Sequence, residues 1–383
     1  MAIPEILYYV LIGFFGAVYM VILIYYTIGW YKLKPFKYHE SNNNTRVSVI
    51  VPARNEENNI TELLENLINQ NYPSELCEII IVDDNSTDQT VSLVNKLIKE
   101  KSNRKIRLLS MKSDEYQFAY KKKAISMAID RSDGELIITT DADCNIKPDW
   151  IKSLVSYYEL YKPKMIVGMV SYHNERTFFE KMQTLEFLSL IAITGGAISI
   201  GKPIMSNGAN LAYEKKAFIE VNGFGEDRFS SGDDVFLLLK IRKKFGNNSV
   251  RFLKSFESLV FTEAKKSLGE FMHQRTRWAS KNKGYESNIL LVSFTVYMVN
   301  LLLLAGFFLG IWIPYMYINI LLLFLIKIIF DLPILVGIIT FVKRQNILFY
   351  GLPLIILYPV YIVITGAMGI VSSYQWKGRK ITN

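Results

Sequence analysis

The apolar positions of this chain form two kinds of pattern, long unbroken runs at both ends and short runs between polar turns in the middle. No charged residue lies between Ile6 and Tyr31, and about 20 apolar residues suffice to cross a bilayer. Three further apolar runs cover approximately 289–313, 315–341 and 348–372. We therefore expect an N-terminal transmembrane helix within residues 1–31 and a C-terminal transmembrane region of about three apolar segments over 289–375.

The middle of the chain alternates between short apolar runs and segments with helical spacing. The runs are 47–51, 79–82, 106–109 and 136–140, and apolar residues spaced three and four apart follow the first two. Such alternation is typical of a largely parallel sheet with right-handed crossovers. We expect one α/β domain over residues 41–285, with the strands near the centre of its core.

Composition and charge favour an integral membrane protein with a sizeable soluble part. Half of the 383 residues are hydrophobic and the net charge is +9. Because Lys32, Lys34 and Lys37 follow the first apolar run, the positive-inside rule predicts that the next domain is cytoplasmic. The basic residues are spread along the chain, which favours anionic membrane lipids over nucleic acid. Glu5 and the lack of a basic start argue against a signal peptide, and Cys77 and Cys144 imply no disulfide framework.

The C-terminal apolar runs leave the topology open. Three crossings after a cytoplasmic domain would place the end of the chain outside, whereas its last basic residues favour the inside. One segment is therefore expected to be re-entrant, interfacial or split, with Pro353 and Pro359 as candidate breaks. Lys327 and Asp331 lie four residues apart inside the second run, where they can pair on one helix face, as a structural or as a functional pair.

Polar clusters follow the ends of three predicted strands. Residues 52–57 follow the first, Asp83 and Asp84 the second, and Asp141 and Asp143 the fourth. Because ligands bind outside the carboxyl ends of strands in open α/β sheets, three clusters at one edge predict a ligand site. Carboxylates are preferred by Mg²⁺, although an acidic turn by itself is common.

Several residues near these clusters have both a chemical and a structural interpretation. Arg54 and Glu56 can contact a nucleotide, although Asn55 or Glu56 can instead cap or start a helix, and Ser86 can cap one. One of the three lysines at 121–123 is a candidate for a diphosphate contact, and at least one of the others belongs to a solvated face. The small residues at 206–211 allow close approach of the backbone to a ligand or form a turn.

Two later segments carry further candidates. Asp233 and Asp234 start a predicted helix, where the dipole alone favours a carboxylate and where an ionised one can act as a general base. Gln274, Arg277 and Trp278 lie on a predicted amphipathic helix before the C-terminal runs. Arg277 can bind a diphosphate and Trp278 can stack on a sugar ring, or both belong to a helix at the membrane interface.

Taken in order, these motifs resemble those of family 2 glycosyltransferases, inverting enzymes of the GT-A fold. Residues 49–56 resemble the family's first strand and turn, 82–86 its base-binding turn, and Thr140–Asp143 its DxD motif. Residues 232–234 stand where the family usually has Glu-Asp. Residues 274–278 match the QxxRW motif of membrane-embedded members that make cellulose, chitin or hyaluronan. The resemblance covers nearly all of the soluble domain and implies an α/β GT-A nucleotide-sugar-binding domain.

The resemblance implies transfer of a sugar from a nucleotide sugar, expected to be a UDP-sugar, to a glycan or a lipid-linked acceptor in cell-surface polysaccharide or glycolipid synthesis. Mg²⁺ or Mn²⁺ is the implied cofactor and Asp234 the implied base. The implied donor-binding residues are Pro52, Arg54, Glu56, Asp84, Lys122 and Asp141, the implied metal ligand is Asp143, and the implied acceptor and diphosphate residues are Asp233, Gln274, Arg277 and Trp278.

Three departures from the family pattern stand out. Asp233 replaces the usual Glu, no Gly precedes Lys121 and Lys122, and the C-terminal apolar region is small for an enzyme that extrudes a polymer. The alternative function is a non-catalytic nucleotide-sugar-binding scaffold of an export complex. That alternative predicts loss of a metal or base carboxylate, and Asp141, Asp143 and Asp234 are all present.

Overall fold

The computed structural model describes residues 3–38, 44–111, 120–225, 232–280, 284–371, 374–376 and 379–381. These residues form two compact units. The sheet unit comprises Leu33–Glu175, Gly201–Ala264 and Gln375–Asn383, and the helical unit comprises Met1–Lys32, Arg176–Ile200 and Lys265–Tyr374. The division differs from the expected domain at 41–285, because two helices within that range belong to the helical unit.

The helices are α1 (Ile3–Lys32), α2 (Ile60–Ile68), α3 (Thr90–Glu100), α4 (Tyr120–Asp130), α5 (Trp150–Tyr161), α6 (Phe178–Ser199), α7 (Lys215–Glu220), α8 (Asp233–Phe245), α9 (Leu268–Ala279), α10 (Ser287–Leu309), α11 (Met316–Phe341) and α12 (Gly351–Val371). The strands are β1 (Val47–Ala53), β2 (Cys77–Asp83), β3 (Lys105–Ser110), β4 (Leu136–Thr139), β5 (Met165–Val167), β6 (Val170–His173), β7 (Leu211–Glu214), β8 (Val250–Phe252), β9 (Val260–Glu263), β10 (Tyr374–Trp376) and β11 (Arg379–Ile381). Three-residue 3₁₀ turns occupy Ser74–Leu76 and Asn247–Ser249, and a longer one occupies Gln345–Tyr350.

The sheet unit is built on a seven-stranded sheet in the order β3-β2-β1-β4-β7-β5-β8. Strands β1 to β4 are mutually parallel, as the alternating pattern predicts. Almost every residue of β1, β2 and β4 is buried, which explains why these strands read as continuous apolar runs rather than alternating ones. The mostly parallel central sheet is therefore confirmed.

One strand of this sheet runs against its neighbours. Strand β7 is antiparallel to β4 and to β5, with Leu211 opposite Thr139. The start of β7 therefore lies beside the end of β4. The segment before Leu211 consequently reaches the same edge of the sheet as the acidic residues that follow Thr139.

Asn210 fixes the start of β7. It is fully buried, accepts a hydrogen bond from Nε1 of Trp150 at 3.0 Å and donates to the carbonyls of Met169 and Ser258 at 2.7 and 2.8 Å. A buried amide with its hydrogen-bonding groups satisfied holds one geometry. The sequence pattern gives no sign of this, since Asn210 reads as part of a turn of small residues.

The helical unit contains α1, α6 and α9 to α12. Within the described residues, five helices are long and apolar enough to span a membrane: α1, α6, α10, α11, and α12 with its preceding turn. Lys327 of α11 is buried and pairs with Asp331, which confirms that pairing. Its ammonium also lies 3.0 Å from the hydroxyl of Tyr19 and 4.9 Å from the ring of Tyr358.

Helix α12 is continuous, so the expectation that Pro353 or Pro359 breaks it is wrong. Pro353 falls in the first turn, where a proline is tolerated, and the helix continues past Pro359. Helix α12 runs parallel to α9. The rings of Phe271 and Tyr361 are 5.4 Å apart, and eight residues further along both helices a Cβ on Gly369 would lie 2.7 Å from Cβ of Ala279.

Candidate active site

The turns after β1 and β2 are joined by Arg54. Its Nη1 donates to the carbonyls of Asp84 and Asn85 at 2.6 and 3.1 Å, and lies 4.0 Å from the carboxylate of Asp84. Asp83 accepts the backbone N–H of Ser86 at 3.2 Å, which closes the second turn. Arg54 thus positions Asp84, and Pro52, half-buried and paired with Val82 in the sheet register, precedes it in β1.

Glu56 and Ser86 have structural contacts in the same two turns. The carbonyl of Glu56 accepts the N–H groups of Asn59 and Ile60 at the start of α2, and its Oε2 accepts from the side chain of Asn59 at 2.9 Å. Ser86 accepts the N–H of Asn55 at 3.0 Å. Because α3 begins at Thr90, Ser86 does not cap that helix.

Asp141 and Asp143 follow β4 at the carboxyl edge of the sheet. The carboxylate of Asp141 is 36% exposed, Asp143 is exposed, and Cys144 after it is buried. The Nζ of Lys121 donates to Oδ1 of Asp141 at 2.5 Å and lies 3.8 Å from Oδ2 of Asp233. This ammonium therefore links the end of β4 to the start of α8.

The electrostatics of Lys121 follow from these neighbours. Burial by itself would lower its pKa, but the carboxylates of Asp141 and Asp233, with a smaller contribution from Asp234, raise the pKa well above its ordinary value. The lysine expected to bind the donor, Lys122, is buried with its ammonium 5.3 Å from the ring of Phe236. Of the two, Lys121 is the lysine that the structure places beside Asp141.

Asp233 and Asp234 are the first two residues of α8. Gly232 before them has φ +91°, and a Cβ there would lie 2.7 Å from the ring of Phe236, so the turn requires glycine. Asp234 is buried, and its Oδ1 accepts the backbone N–H of Val235 at 2.8 Å. A carboxylate at a helix N-terminus is favoured in its ionised form, which is the form a general base requires.

Gly208 lies at the same edge of the sheet, in the segment that precedes β7. Its carbonyl accepts from the hydroxyl of Thr139 at 3.2 Å. A Cβ on Gly208 would lie 3.3 Å from Nζ of Lys121 and 3.5 Å from Oδ2 of Asp233. The segment forms a turn, closed by the backbone hydrogen bond from Asn210 to Asn207 at 3.2 Å, and Gly208 within it borders the charged cluster.

The acidic edge is suited to a divalent cation that also binds substrate. The described part of the chain has no group of three or more His, Cys, Asp or Glu residues placed to hold a metal ion. Mg²⁺ commonly takes one or two carboxylates and completes its shell with substrate phosphates and water. The exposed carboxylate of Asp143 and the partly exposed one of Asp141 fit this pattern.

Gln274, Arg277 and Trp278 belong to the helical unit. They lie in the last two turns of α9, and all three side chains are half-buried. Ser267 caps this helix by accepting the N–H of Glu270 at 3.2 Å. The ring of Trp278 lies 6.0 Å from that of Phe187 on α6.

Two family models match overlapping parts of the chain. Residues 48–221 match the family described as glycosyl transferase family 2, and residues 136–361 match glycosyl transferase family group 2. The chain is 26% identical over 234 residues to a β-monoglucosyldiacylglycerol synthase of Nostoc sp., a match that covers 61% of this chain and 48% of the relative. It is 34% identical over 114 residues to the poly(ribitol-phosphate) β-N-acetylglucosaminyltransferase TarS of Staphylococcus aureus, covering 30% of this chain and 19% of that protein.

The chain thus spans about half the length of that synthase. Among solved structures, the mannosyltransferase PcManGT from Pyrobaculum calidifontis, in complex with GDP-Man and Mn²⁺, superposes with a TM-score of 0.55 at 18% identity and covers 94% of this chain and 98% of that one. That likeness shows the fold. Since the second family match extends over more than half of the sequence, the chain belongs to glycosyl transferase family group 2, and it has a GT-A-type α/β fold.

Proposed function

We propose that this protein is a membrane-bound inverting glycosyltransferase that moves a sugar from a UDP-sugar to a hydroxyl of a glycan or a lipid-linked acceptor. The observation that carries the proposal is the meeting of Asp141, Lys121, Asp233 and Asp234 at the carboxyl edge of the sheet. A basic group among carboxylates suits a substrate that brings a diphosphate, a metal ion and a hydroxyl to one place.

The nucleotide-sugar donor is assigned to the carboxyl ends of the parallel strands. Asp84, held by Arg54, accepts hydrogen bonds from the base, and Asp141 lies on the ribose and diphosphate side. Lys121 supports the diphosphate, because an ammonium already held between two carboxylates is positioned for phosphate oxygens. Lys122, buried against Phe236, acts through packing instead.

Asp143 is assigned to Mg²⁺ or Mn²⁺, with Asp141 beside it. When bound, such an ion neutralises the charge that develops on the leaving diphosphate. The PcManGT structure is a complex with Mn²⁺, which supports a divalent ion in this fold. The phosphates that the donor brings would complete the coordination shell that the two carboxylates begin.

Asp234 is assigned as the general base. Its carboxylate lies in the first turn of α8, where the helix dipole favours negative charge, and it removes the proton of an acceptor hydroxyl as that oxygen attacks the anomeric carbon. The carbon–oxygen bond to the diphosphate breaks on the opposite face, and one displacement inverts the configuration. An α-linked donor then gives a β-linked product, and the names of the Nostoc synthase and of TarS both specify a β product or transfer.

The acceptor is assigned to the membrane side of the enzyme. Five apolar helices and a glucosyldiacylglycerol synthase among the relatives favour a lipid-linked acceptor, while Gln274, Arg277 and Trp278 favour a glycan acceptor. We place the sheet unit in the cytoplasm, where nucleotide sugars are made, on the basis of Lys32, Lys34 and Lys37.

A donor screen tests the proposal. The purified protein in vesicles that contain diacylglycerol is incubated with Mn²⁺ and UDP-glucose, UDP-N-acetylglucosamine or GDP-mannose, and products are identified by mass. We expect a lipid heavier by one hexose or N-acetylhexosamine with a UDP-sugar, and none with an Asp234→Asn protein. Tight binding of a UDP-sugar without turnover, across diacylglycerol and glycan acceptors, would contradict the proposal and support the non-catalytic scaffold.

A further inference from the structure

A buried ion pair joins the Gln274–Trp278 segment to α6. The side chains of Glu186 on α6 and Arg275 on α9 are 2% and 3% exposed. Nη2 of Arg275 donates to Oε2 of Glu186, and the hydroxyl of Tyr361 on α12 donates to its Oε1 at 2.9 Å. One carboxylate on α6 thus binds a side chain from each of two other helices.

Arg275 in turn contacts two residues of the motif assigned to the acceptor. Its Nη1 donates to Oε1 of Gln274 at 2.8 Å. Its guanidinium carbon lies 4.2 Å from the ring centre of Trp278 and 4.6 Å from that of Phe271, distances typical of cation–π contacts. The same group therefore fixes the amide of Gln274 and the indole of Trp278.

The chemistry of Arg275 also decides which way the Gln274 amide faces. A guanidinium carries only donors, so the amide oxygen must be the atom turned toward it. The NH₂ group of Gln274 is then directed away from Arg275. Because this side chain is half-buried rather than enclosed, its NH₂ is available to donate to an oxygen of a bound substrate.

Stability alone is a weak reason for such an arrangement. Removing two charges from water costs about as much as their attraction returns, and apolar replacements of buried ion pairs are often neutral or stabilising. The ion pair instead fixes the geometry. The planar guanidinium of Arg275 has few alternative arrangements when one carboxylate accepts its hydrogen bond.

We propose that Glu186 is a positioning residue of the transferase, which acts through Arg275 to hold the Gln274 amide as a donor to an oxygen of the acceptor and to hold Trp278 in place. The proposal rests on the proposed function, since it assumes that Gln274 and Trp278 contact a substrate. Glu186 acts on Gln274 and Trp278 through Arg275, which lies between them in the sequence.

The main test replaces the network by apolar side chains of similar size. In Glu186→Met/Arg275→Met/Tyr361→Phe no buried charge is left without a partner, so the protein is expected to fold and to melt within a few degrees of the wild type. Release of UDP from UDP-glucose in diacylglycerol vesicles is expected to fall about 10- to 100-fold in kcat, the size of effect that misplaced binding groups produce. A folded triple variant with wild-type kcat would overturn the proposal.

Two single variants separate the donor from its support. Gln274→Glu keeps an acceptor for Arg275 and loses the NH₂ donor, whereas Glu186→Gln keeps the donor and loosens Arg275. We expect both to lower kcat at least about 10-fold. The ¹⁹F resonance of Trp278, assigned among the five tryptophans with 5-fluorotryptophan and Trp278→Phe, is expected to shift in Glu186→Gln and to stay in place in Gln274→Glu.

Gln183 on the same helix is the matched control. It is buried, and its amide exchanges hydrogen bonds of 2.8 and 3.0 Å with the backbone of Lys265. Gln183→Leu is expected to lower the melting temperature without moving the Trp278 resonance or kcat. Equal loss of kcat in Gln183→Leu and Glu186→Gln would make Glu186 merely structural. A wild type that is inactive with every UDP-sugar, on both diacylglycerol and glycan acceptors, would instead refute the proposed function, whereas an active wild type with an unchanged Trp278 resonance in Glu186→Gln would refute only the positioning role.

Discussion

The ammonium of Lys121 lies 2.5 Å from the carboxylate of Asp141, so the lysine and the first acid of the DxD sequence form an ion pair in the protein alone. On the proposed function, this pair holds a positive charge where the donor would bring its phosphate oxygens. The contact is the reason to propose Lys121, among three consecutive lysines, as the donor-binding one.

Replacement of that lysine is the first prediction. Lys121→Met is expected to raise the KM for the UDP-sugar about 10-fold or more, because a charge-assisted hydrogen bond to the diphosphate is lost. The pKa of Lys121 is raised above its ordinary value, so the ammonium stays charged and its titration produces no limb of the pH–rate profile up to about pH 10. Lys123→Met is the control and is expected to keep the wild-type KM. Equal effects at both positions would contradict the assignment.

The metal prediction concerns Asp143. Asp143→Ala is expected to lower kcat about 100-fold or more, because transition-state charge loses its counter-ion, and to weaken Mn²⁺ binding measured by electron paramagnetic resonance with UDP present. The control is Asp149→Asn. The carboxylate of Asp149 accepts a hydrogen bond from the side chain of Asn71 at 2.9 Å. Unchanged turnover in Asp143→Ala would refute the metal role.

The general-base prediction concerns Asp234. Asp234→Asn keeps an oxygen that can accept the N–H of Val235, so folding and donor binding are expected to be retained. The kcat is expected to fall about 10²- to 10⁴-fold, the range attributed to general-base catalysis. Titration calorimetry with UDP checks binding, and rate measurements check the chemistry. An Asn variant with full kcat would identify a different base.

Helix packing gives a prediction independent of catalysis. A Cβ on Gly29 of α1 would lie 2.2 Å from the carbonyl oxygen of Gly196 on α6, whereas a Cβ on Gly13 of the same helix has nothing within 4 Å. Gly29→Ala is expected to destabilise the helical unit by about 1–3 kcal/mol, as overpacking does, and Gly13→Ala by less than about 0.5 kcal/mol. Thermal unfolding in detergent compares the two, and equal melting temperatures would contradict this close packing.

The position of α12 predicts where the chain ends. Helix α12 follows α11 after the 3₁₀ turn at Gln345–Tyr350. Near the end of α12, Gly369 packs against Ala279, just before α10 begins. Both ends of α12 are therefore expected on the side of the membrane where α10 starts. A reporter fused after residue 383 and a Ser102→Cys label are expected to be inaccessible from outside intact cells, and an Ile311→Cys label accessible. External labelling of Ser102→Cys would contradict the cytoplasmic placement.

The strands and their polar ends are predictable from the sequence because the pattern is local. Residues 47–51 and 136–140 read as buried strands, and parallel strands share a carboxyl edge whatever packs around them. The choice between Lys121 and Lys122 is different. Neighbouring residues on a helix point about 100° apart, so only the rotation of α4 against the sheet decides which one meets Asp141.

The same limit applies to contacts between distant segments. The anchoring of Asp84 by Arg54 and the burial of Asn210 depend on backbone carbonyls supplied by other turns, which carry no side-chain pattern. The path of α12 depends on packing against α9, since its composition fits a membrane span equally well. Hydrophobic patterning identifies such elements and leaves their neighbours undetermined.

The reversed direction of β7 has a consequence for how such an enzyme diversifies. Residues 201–209 precede a strand that starts at the acidic edge, while the proposed donor-binding residues follow the ends of β1, β2 and β4. The buried hydrogen bonds of Asn210 hold the start of that strand separately from those three strands. On the proposed function, insertions within residues 201–207 can therefore change the acceptor over evolutionary time while the proposed donor-binding residues are kept.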